Sequence, residues 1–142
     1  YIAVSLNSLA VFYSKQKMYL KALPLFEETL QIYEHNFGRK HSYYATALNN
    51  LANLYYNQEN YIEALPLYQE ALQIREEVLE KQHPDYATSL YGIGKVYFKQ
   101  HDWKQARQYL IEAYSIRLEK LGEQHPETQD TKKWLDALLD TV

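Results

Sequence analysis

The sequence predicts an all-α protein built as a solenoid of tandem helical hairpins, and three observations support this fold class. First, the 142-residue chain resembles itself at an interval of 42 residues. Second, apolar residues recur within each repeat at the three- and four-residue spacing of an amphipathic helix. Third, the chain has only four Gly and four Pro, too few for the frequent turns of an all-β protein.

The repeat interval is visible at positions that keep one residue type in all three repeats. Alanine, leucine, tyrosine and histidine recur in this way at Ala3, Ala45 and Ala87; Leu6, Leu48 and Leu90; Tyr13, Tyr55 and Tyr97; and His41, His83 and His125. Chance does not produce agreement at so many positions. We therefore predict one domain over 1–142, with repeat one at 1–42, repeat two at 43–84 and repeat three at 85–126.

Each repeat is predicted to form a helix-turn-helix hairpin. In repeat two, an apolar stripe with helical spacing defines a first helix, A, through Leu48, Leu51, Ala52 and Tyr55. A polar break follows, and a second stripe that begins at Tyr61 defines a longer helix, B. Small residues recur on both helices, which lets the two backbones of a hairpin approach closely.

The segment 127–142 is predicted to be a C-terminal capping helix. It begins like a fourth helix A but has Gln129 and Lys132 where the earlier repeats have Ala and Leu. The first repeat has no such cap, so a homo-oligomer formed through this repeat is one expectation. Because the chain begins at Tyr1 and repeat one lacks a preceding linker, we also expect it to be part of a longer polypeptide.

The linkers between hairpins contain helix-ending and helix-starting residues. Gly38 and Gly122 suit a left-handed residue after helix B, whereas Glu80 breaks this pattern. Either helix B of repeat two ends differently or Glu80 adopts a strained left-handed conformation. The linker histidines, 42 residues apart, are too widely spaced to share a metal ion, so we predict a linker or capping role for them.

Composition and charge exclude several classes of function. The net charge of −3, with scattered basic residues, argues against binding to nucleic acid. No segment approaches the length of a membrane span, and the absence of Cys fits a cytoplasmic protein. The sequence has no phosphate-binding loop, nucleophile motif or metal-spaced cluster. We therefore expect no catalytic residues, no cofactor and no metal.

Three segments carry a resemblance to a known family. They are Ala-Leu-Asn-Asn-Leu-Ala-Asn-Leu-Tyr-Tyr at 47–56, Tyr-Ile-Glu-Ala-Leu-Pro-Leu-Tyr at 61–68, and His83-Pro84-Asp85. Together they resemble tetratricopeptide repeats of the 42-residue kind found in kinesin light chains and many bacterial proteins. The resemblance implies a right-handed α-solenoid in which the A helices line a concave groove that holds extended peptides.

A second stripe on the A helices, about 100° from the buried one, is predicted to face this groove. From it we predict eight peptide-binding residues: Asn7, Asn49, Asn53, Tyr56, Tyr91, Lys95, Phe98 and Lys99. Asn amides can pair with the backbone of an extended peptide, and Lys supplies a charge for a carboxylate. Val4 and Val11 occupy positions where a clamp for a C-terminal carboxylate would need polar groups, so an internal acidic-aromatic segment is favoured. We expect it to bind between the second and third hairpins.

Two functions follow as alternatives, with an enzyme as a third and weaker reading. The leading one is an adaptor or scaffold module whose groove binds an extended, acidic segment of a protein partner. The other is a structural or self-association segment of a longer array, in which the uncapped first hairpin stacks through Ile2, Val4 and Phe12.

Overall fold

The computed structural model describes residues 2–141, and within them it contains seven α-helices and no strand. Their bounds are α1 Ile2–Lys15, α2 Tyr19–Phe37, α3 Ser42–Asn57, α4 Tyr61–Val78, α5 Pro84–Lys99, α6 Trp103–Leu121 and α7 Pro126–Leu139. Consecutive helices pack as the pairs α1 with α2, α3 with α4 and α5 with α6. The predicted all-α repeat fold is thus confirmed.

The helices form two compact units. The first ends at Val78 and contains α1 to α4, and the second begins at Leu79 and contains α5 to α7. In the first unit α3 also packs on α2, and in the second α7 packs on α6. The repeat boundaries stay predictions, although each predicted repeat contains one A helix and one B helix.

The core of the first unit follows the predicted apolar stripes. One cluster gathers buried residues near the starts of the A helices, including Ala3, Tyr44 and Leu48. A second cluster contains Ala10, Ala22 and other fully or almost fully buried residues. These Ala side chains have no exposed surface, as expected where two helix backbones lie close together.

In the second unit, Ala106, Leu110 and Leu138 form a buried cluster under half-buried aromatic rings. Gly94, which stands where the earlier repeats have Ala10 and Ala52, is buried against this cluster. A Cβ atom at Gly94 would lie 2.7 Å from Cγ of Leu110 and 3.3 Å from its backbone nitrogen. The absence of a side chain at 94 therefore allows α5 and α6 to approach at this point.

Each linker histidine caps the helix that follows it. Nδ1 of His41 accepts a hydrogen bond from the backbone N–H of Tyr43 at 3.0 Å. His83 and His125 make the same contact two residues ahead, at 3.0 and 3.1 Å. A side chain that accepts from a free N–H group of the first turn stabilises a helix start. The predicted capping role is confirmed.

The helix ends confirm part of the linker prediction. Gly38 and Gly122 have positive φ of 79° and 91°, but their ψ values of 175° and 162° lie outside the left-handed helical region. Such backbone angles are essentially restricted to glycine. Glu80 is not among the positive-φ residues, so the first alternative is correct: helix α4 ends differently, at Val78.

The turns inside the hairpins also contain left-handed residues. Lys17, Glu59 and His101 have φ of 60°, 61° and 63°, and they are again 42 residues apart. None of them is Gly or Asn, so their residue types did not indicate the conformation. The hairpin geometry, rather than local preference, places these residues in the left-handed region.

The last helix, α7, presents Gln129 and Lys132 to solvent. Its proposed capping role stays a prediction. Within residues 2–141 no helix combines the length and the apolar character that crossing a membrane requires.

Candidate functional site

The second stripe of α5 contains four of the eight predicted binding residues. Helical spacing places Tyr91, Lys95, Phe98 and Lys99 on one side of α5 because they are three or four residues apart or adjacent. Lys99 is exposed and the other three are half-buried. The buried face of α5 is occupied by other positions, among them Leu90 and Gly94.

Tyr91 lies against two cationic side chains. Nζ of Lys95 is 4.7 Å from the centroid of the Tyr91 ring, and Cζ of Arg117 is 4.4 Å from the same centroid. Both distances are within the range of cation–π attraction. Burial raises the pKa of the Tyr91 hydroxyl, as does Asp130, whereas Arg117 and a hydrogen bond with Trp134 lower it.

The ammonium group of Lys95 is in an unfavourable electrostatic environment. Burial, with repulsion from Arg117 and Lys99, lowers the pKa of Lys95 to about 8, although Asp130 opposes the shift. Desolvation and like charges both disfavour the protonated amine. The cations Arg117 and Lys99 thus add to the cost of burying Lys95, and the carboxylate of Asp130 opposes them.

An aromatic cluster continues the stripe toward the end of α5. The Phe98 ring meets the Trp134 ring of α7 edge-on at 5.0 Å and the Trp103 ring of α6 at 5.2 Å. Nζ of Lys99 lies 5.6 Å from the centroid of Trp134. The second unit thus brings together cations and aromatic rings from three helices.

The predicted residues of the first unit take part in contacts between helices. Oδ1 of Asn7 accepts a hydrogen bond from Nδ2 of Asn50 at 3.2 Å, which joins α1 to α3. Oδ1 of Asn53 accepts a hydrogen bond from the Tyr68 hydroxyl of α4. In both cases the amide oxygen has a partner inside the protein.

Two further predicted residues of α3 differ in exposure. Asn49 is only 4% exposed, so it offers little surface to a ligand. Tyr56 is half-buried, and its ring meets that of Tyr61 at 5.5 Å in an edge-on arrangement. The binding role of both residues stays a prediction.

Sequence reasoning missed Arg75 and Arg117, which are 4% and 3% exposed. They are 42 residues apart at the same position of helix B. Each donates a hydrogen bond to a threonine on helix A of the same hairpin. Nη2 of Arg75 is 3.3 Å from Oγ1 of Thr46, and Nη2 of Arg117 is 3.4 Å from Oγ1 of Thr88. Both the arginine and the threonine recur at the 42-residue interval, and this recurrence could have drawn attention to them. The sequence does not show that the two side chains contact each other.

Trp134 was also missed as a site residue. It is followed on α7 by the apolar residues Leu135, Leu138 and Leu139, so the sequence alone indicates packing and not binding. No group of three or more metal-binding side chains is found in the described part of the chain.

The fold and this surface define a helical-repeat protein of the protein-interaction class. The family model for the tetratricopeptide repeat matches residues 1–58 and 43–119, and the chain belongs to this family. Tetratricopeptide repeats generally mediate protein–protein interaction. Among curated proteins no relative was detected.

Three solved structures show the same fold. A candidate kinesin light chain with nearly identical TPR-like repeats from Podosopora anserina is 21% identical, with a TM-score of 0.85 over 94% of this chain and 64% of that chain. BtubC (BKLC) from P. vanneervenii is 24% identical, with a TM-score of 0.86 over 97% of this chain and 55% of that chain. The Sgt2 TPR domain from Aspergillus fumigatus is 18% identical, with a TM-score of 0.66 over 94% of this chain and 79% of that domain. This chain therefore spans less than two thirds of the first two proteins.

Proposed function

We propose that the chain is a protein-interaction module that binds an extended, acidic segment of a partner, with the second stripe of α5 as its main contact. The observation that carries the proposal is the α5 stripe, where Lys95 and Lys99 lie beside the rings of Tyr91 and Phe98. Cations next to exposed edges of aromatic rings suit a segment that has both acidic and apolar side chains.

The acidic preference follows from the charges around Lys95. Because burial and the neighbouring cations lower the pKa of Lys95, a carboxylate placed beside it relieves an existing repulsion. A hydrogen bond between charged groups contributes about 1.5 to 3 kcal/mol. At the equivalent position of α3, a ligand carboxylate would meet the neutral amide of Asn53, and this hydrogen bond would contribute less binding free energy.

The apolar preference follows from the aromatic cluster. Phe98, Trp134 and Trp103 are all half-buried, so part of each ring is in contact with solvent. Large rigid rings bind an apolar side chain with little loss of conformational entropy. An internal segment is favoured over a free C-terminus, since Val4 and Val11 supply no polar group for a terminal carboxylate.

A double substitution tests the electrostatic part of the proposal. We expect Lys95→Ala with Lys99→Ala to weaken binding at least tenfold, the equivalent of about 1.4 kcal/mol. The measurement is a fluorescence-anisotropy titration with labelled nine-residue peptides that carry one Trp flanked by Glu and Asp. Charge-reversed peptides, with Lys in place of each acid, provide the ligand control.

The protein control is Lys104→Ala with Lys120→Ala, which removes the same charge from exposed positions of α6. This variant should bind like the unmodified chain. Equal affinity of the two double variants would contradict the proposed role of Lys95 and Lys99.

A second function, self-association through the first hairpin, is favoured by the apolar surface of α1. Ile2, Val4 and Phe12 are 72%, 58% and 55% exposed. The starts of α1 and α3 and the end of α2 also line an open cleft of about 860 Å³. Multi-angle light scattering over a concentration series tests this alternative, and a monomer at every concentration would reject it.

A further inference from the structure

Arg117 is a buried cation whose hydrogen bonds all go to neutral oxygens. Nη1 donates to Oγ1 of Thr131 at 2.9 Å and to the carbonyl oxygen of Glu127 at 3.4 Å, and Nη2 donates to Oγ1 of Thr88 at 3.4 Å. Nε of Arg117 has no hydrogen-bond partner among residues 2–141. Burial lowers the pKa of Arg117, and the charges of Glu127 and Asp130 oppose this shift without accepting one of the hydrogen bonds given above. An arginine that is 3% exposed is costly to bury when no carboxylate accepts from it directly.

The Tyr91 ring of the second stripe lies against this guanidinium. It contacts Cζ of Arg117 at 4.4 Å and Nζ of Lys95 at 4.7 Å. Tyr91 is half-buried on α5, whereas Arg117 comes from α6. The half-buried Tyr91 ring therefore contacts both the buried guanidinium and the ammonium group of Lys95.

We propose that Arg117, Lys95 and the Tyr91 ring form an oxyanion subsite, in which an anionic group of the bound segment displaces the ring and accepts a hydrogen bond from Nε of Arg117. The proposal rests on the proposed function and deepens it, because it names the group that is bound and a cation on helix B that binds it. A carboxylate and a phosphate share the required chemistry. A phosphate has the larger charge and more acceptor oxygens.

The first unit supplies a matched control. Arg75 occupies the same repeat position, is 4% exposed and donates from Nη2 to Oγ1 of Thr46. The α3 stripe residues at the positions of Tyr91 and Lys95 are Asn49 and Asn53. These two positions of α3 therefore supply neither an aromatic ring nor a cation, and we expect Arg75 not to bind an oxyanion.

The direct test is NMR observation of the arginine Nε–Hε groups during titration of the unmodified chain with inorganic phosphate or acetate at constant ionic strength. We expect a saturable shift at Arg117 that is at least threefold larger than the shift at Arg75. A larger effect of phosphate than of acetate would assign the subsite to phosphorylated side chains, and the reverse would assign it to Asp or Glu. Equal shifts at the two arginines would overturn the proposal.

Substitutions test whether Arg117 binds the ligand or only stabilises the fold. We expect Arg117→Met to weaken binding of the acidic peptides at least fivefold without lowering the midpoint of thermal unfolding, and Arg75→Met to leave the affinity unchanged. Tyr91→Ala should increase the affinity for inorganic phosphate, because the ring no longer covers Nε. Loss of phosphate affinity in Tyr91→Ala would contradict the displacement step.

The two proposals fail in different ways. If Arg117 responds to phosphate but no acidic peptide binds, the subsite stands and the proposed function fails. If acidic peptides bind while the Arg117 signal does not move, the proposed function stands and the subsite is rejected.

Discussion

The α3–α4 hairpin and the α5–α6 hairpin share a sequence template but differ at the centre of their second stripes. In the first, Asn53 accepts a hydrogen bond from the hydroxyl of Tyr68. In the second, the equivalent residues are Lys95 and Leu110, which cannot make this bond. One hairpin therefore has a neutral amide at this position, whereas the other has an ammonium group whose pKa is lowered to about 8, mainly by burial.

In both hairpins a buried arginine of helix B donates a hydrogen bond to a threonine of helix A. With neutral Asn side chains above it, this arginine is part of the packing between helices. With Lys95 above it, the arginine adds to a surplus of positive charge and lowers the pKa of the lysine. The difference shows that residue types at two stripe positions change the charge and the aromatic character around an arginine–threonine contact that both hairpins share.

Removing the charge of Lys95 should have the largest effect on stability. The pKa is about 8 in the folded chain against an ordinary value of 10.5, so the protonated amine destabilises the fold. We expect Lys95→Met to raise the free energy of unfolding by up to about 3 kcal/mol at pH 7, since one pKa unit corresponds to about 1.4 kcal/mol.

The pH dependence gives the sign of this effect. Below pH 8 both folded and unfolded chains carry the proton, and the gain from Lys95→Met is complete. Between pH 8 and 10.5 the unfolded chain binds more protons, so the unmodified chain gains stability and the difference disappears. Urea unfolding of the unmodified chain and of Lys95→Met at pH 7, 9 and 10.5 measures the difference in their free energies of unfolding. A difference that does not change with pH would refute the electrostatic explanation.

Gly94→Ala tests whether the close approach of α5 to Leu110 is needed. The added Cβ would lie 2.7 Å from Cγ of Leu110. We expect a loss of about 1 to 2 kcal/mol in urea unfolding, because overpacking outweighs the better helix propensity of alanine. The reverse change at the same repeat position, Ala52→Gly, serves as the control and should cost about 2 kcal/mol, through helix propensity and the loss of a buried methyl group. A more stable Gly94→Ala variant would show that α6 can move away.

Tyr68→Phe should have the smallest effect. It removes the hydrogen bond to Asn53, at a cost of about 1 kcal/mol. Thermal unfolding measures the change, with Tyr109→Phe on α6 as a control that should alter stability by less than about 0.5 kcal/mol. If the two variants behave alike, the internal satisfaction of Asn53 contributes nothing to stability.

The fold was predictable because the 42-residue interval and the apolar stripes are properties of the sequence itself. The capping role of His41, His83 and His125 was predictable for the same reason, since a cap acts over two residues. The left-handed residues of the hairpin turns were not, because Glu59 and its equivalents have no intrinsic preference for positive φ.

The candidate site was predictable only in part. Helical spacing placed Lys95 and Tyr91 on one side of a helix, but it did not place a side chain from another helix beneath them. Arg117 reaches Tyr91 from α6, and Trp134 reaches Phe98 from α7. Contacts of this kind depend on the distance between helices, which periodicity does not determine.

The left-handed turn residues have a practical consequence. Lys17, Glu59 and His101 hold the same backbone conformation although their side chains share no chemistry. Lys17 and Glu59 are also exposed, so a cysteine at either one offers a point for attaching a fluorophore or a cross-linker. His101 is exposed as well, but its ring stacks on Trp103 at 5.1 Å, so a substitution there would disturb an aromatic contact. Probes at Lys17 and Glu59 can therefore report on the first unit while the aromatic cluster of the second unit stays unaltered.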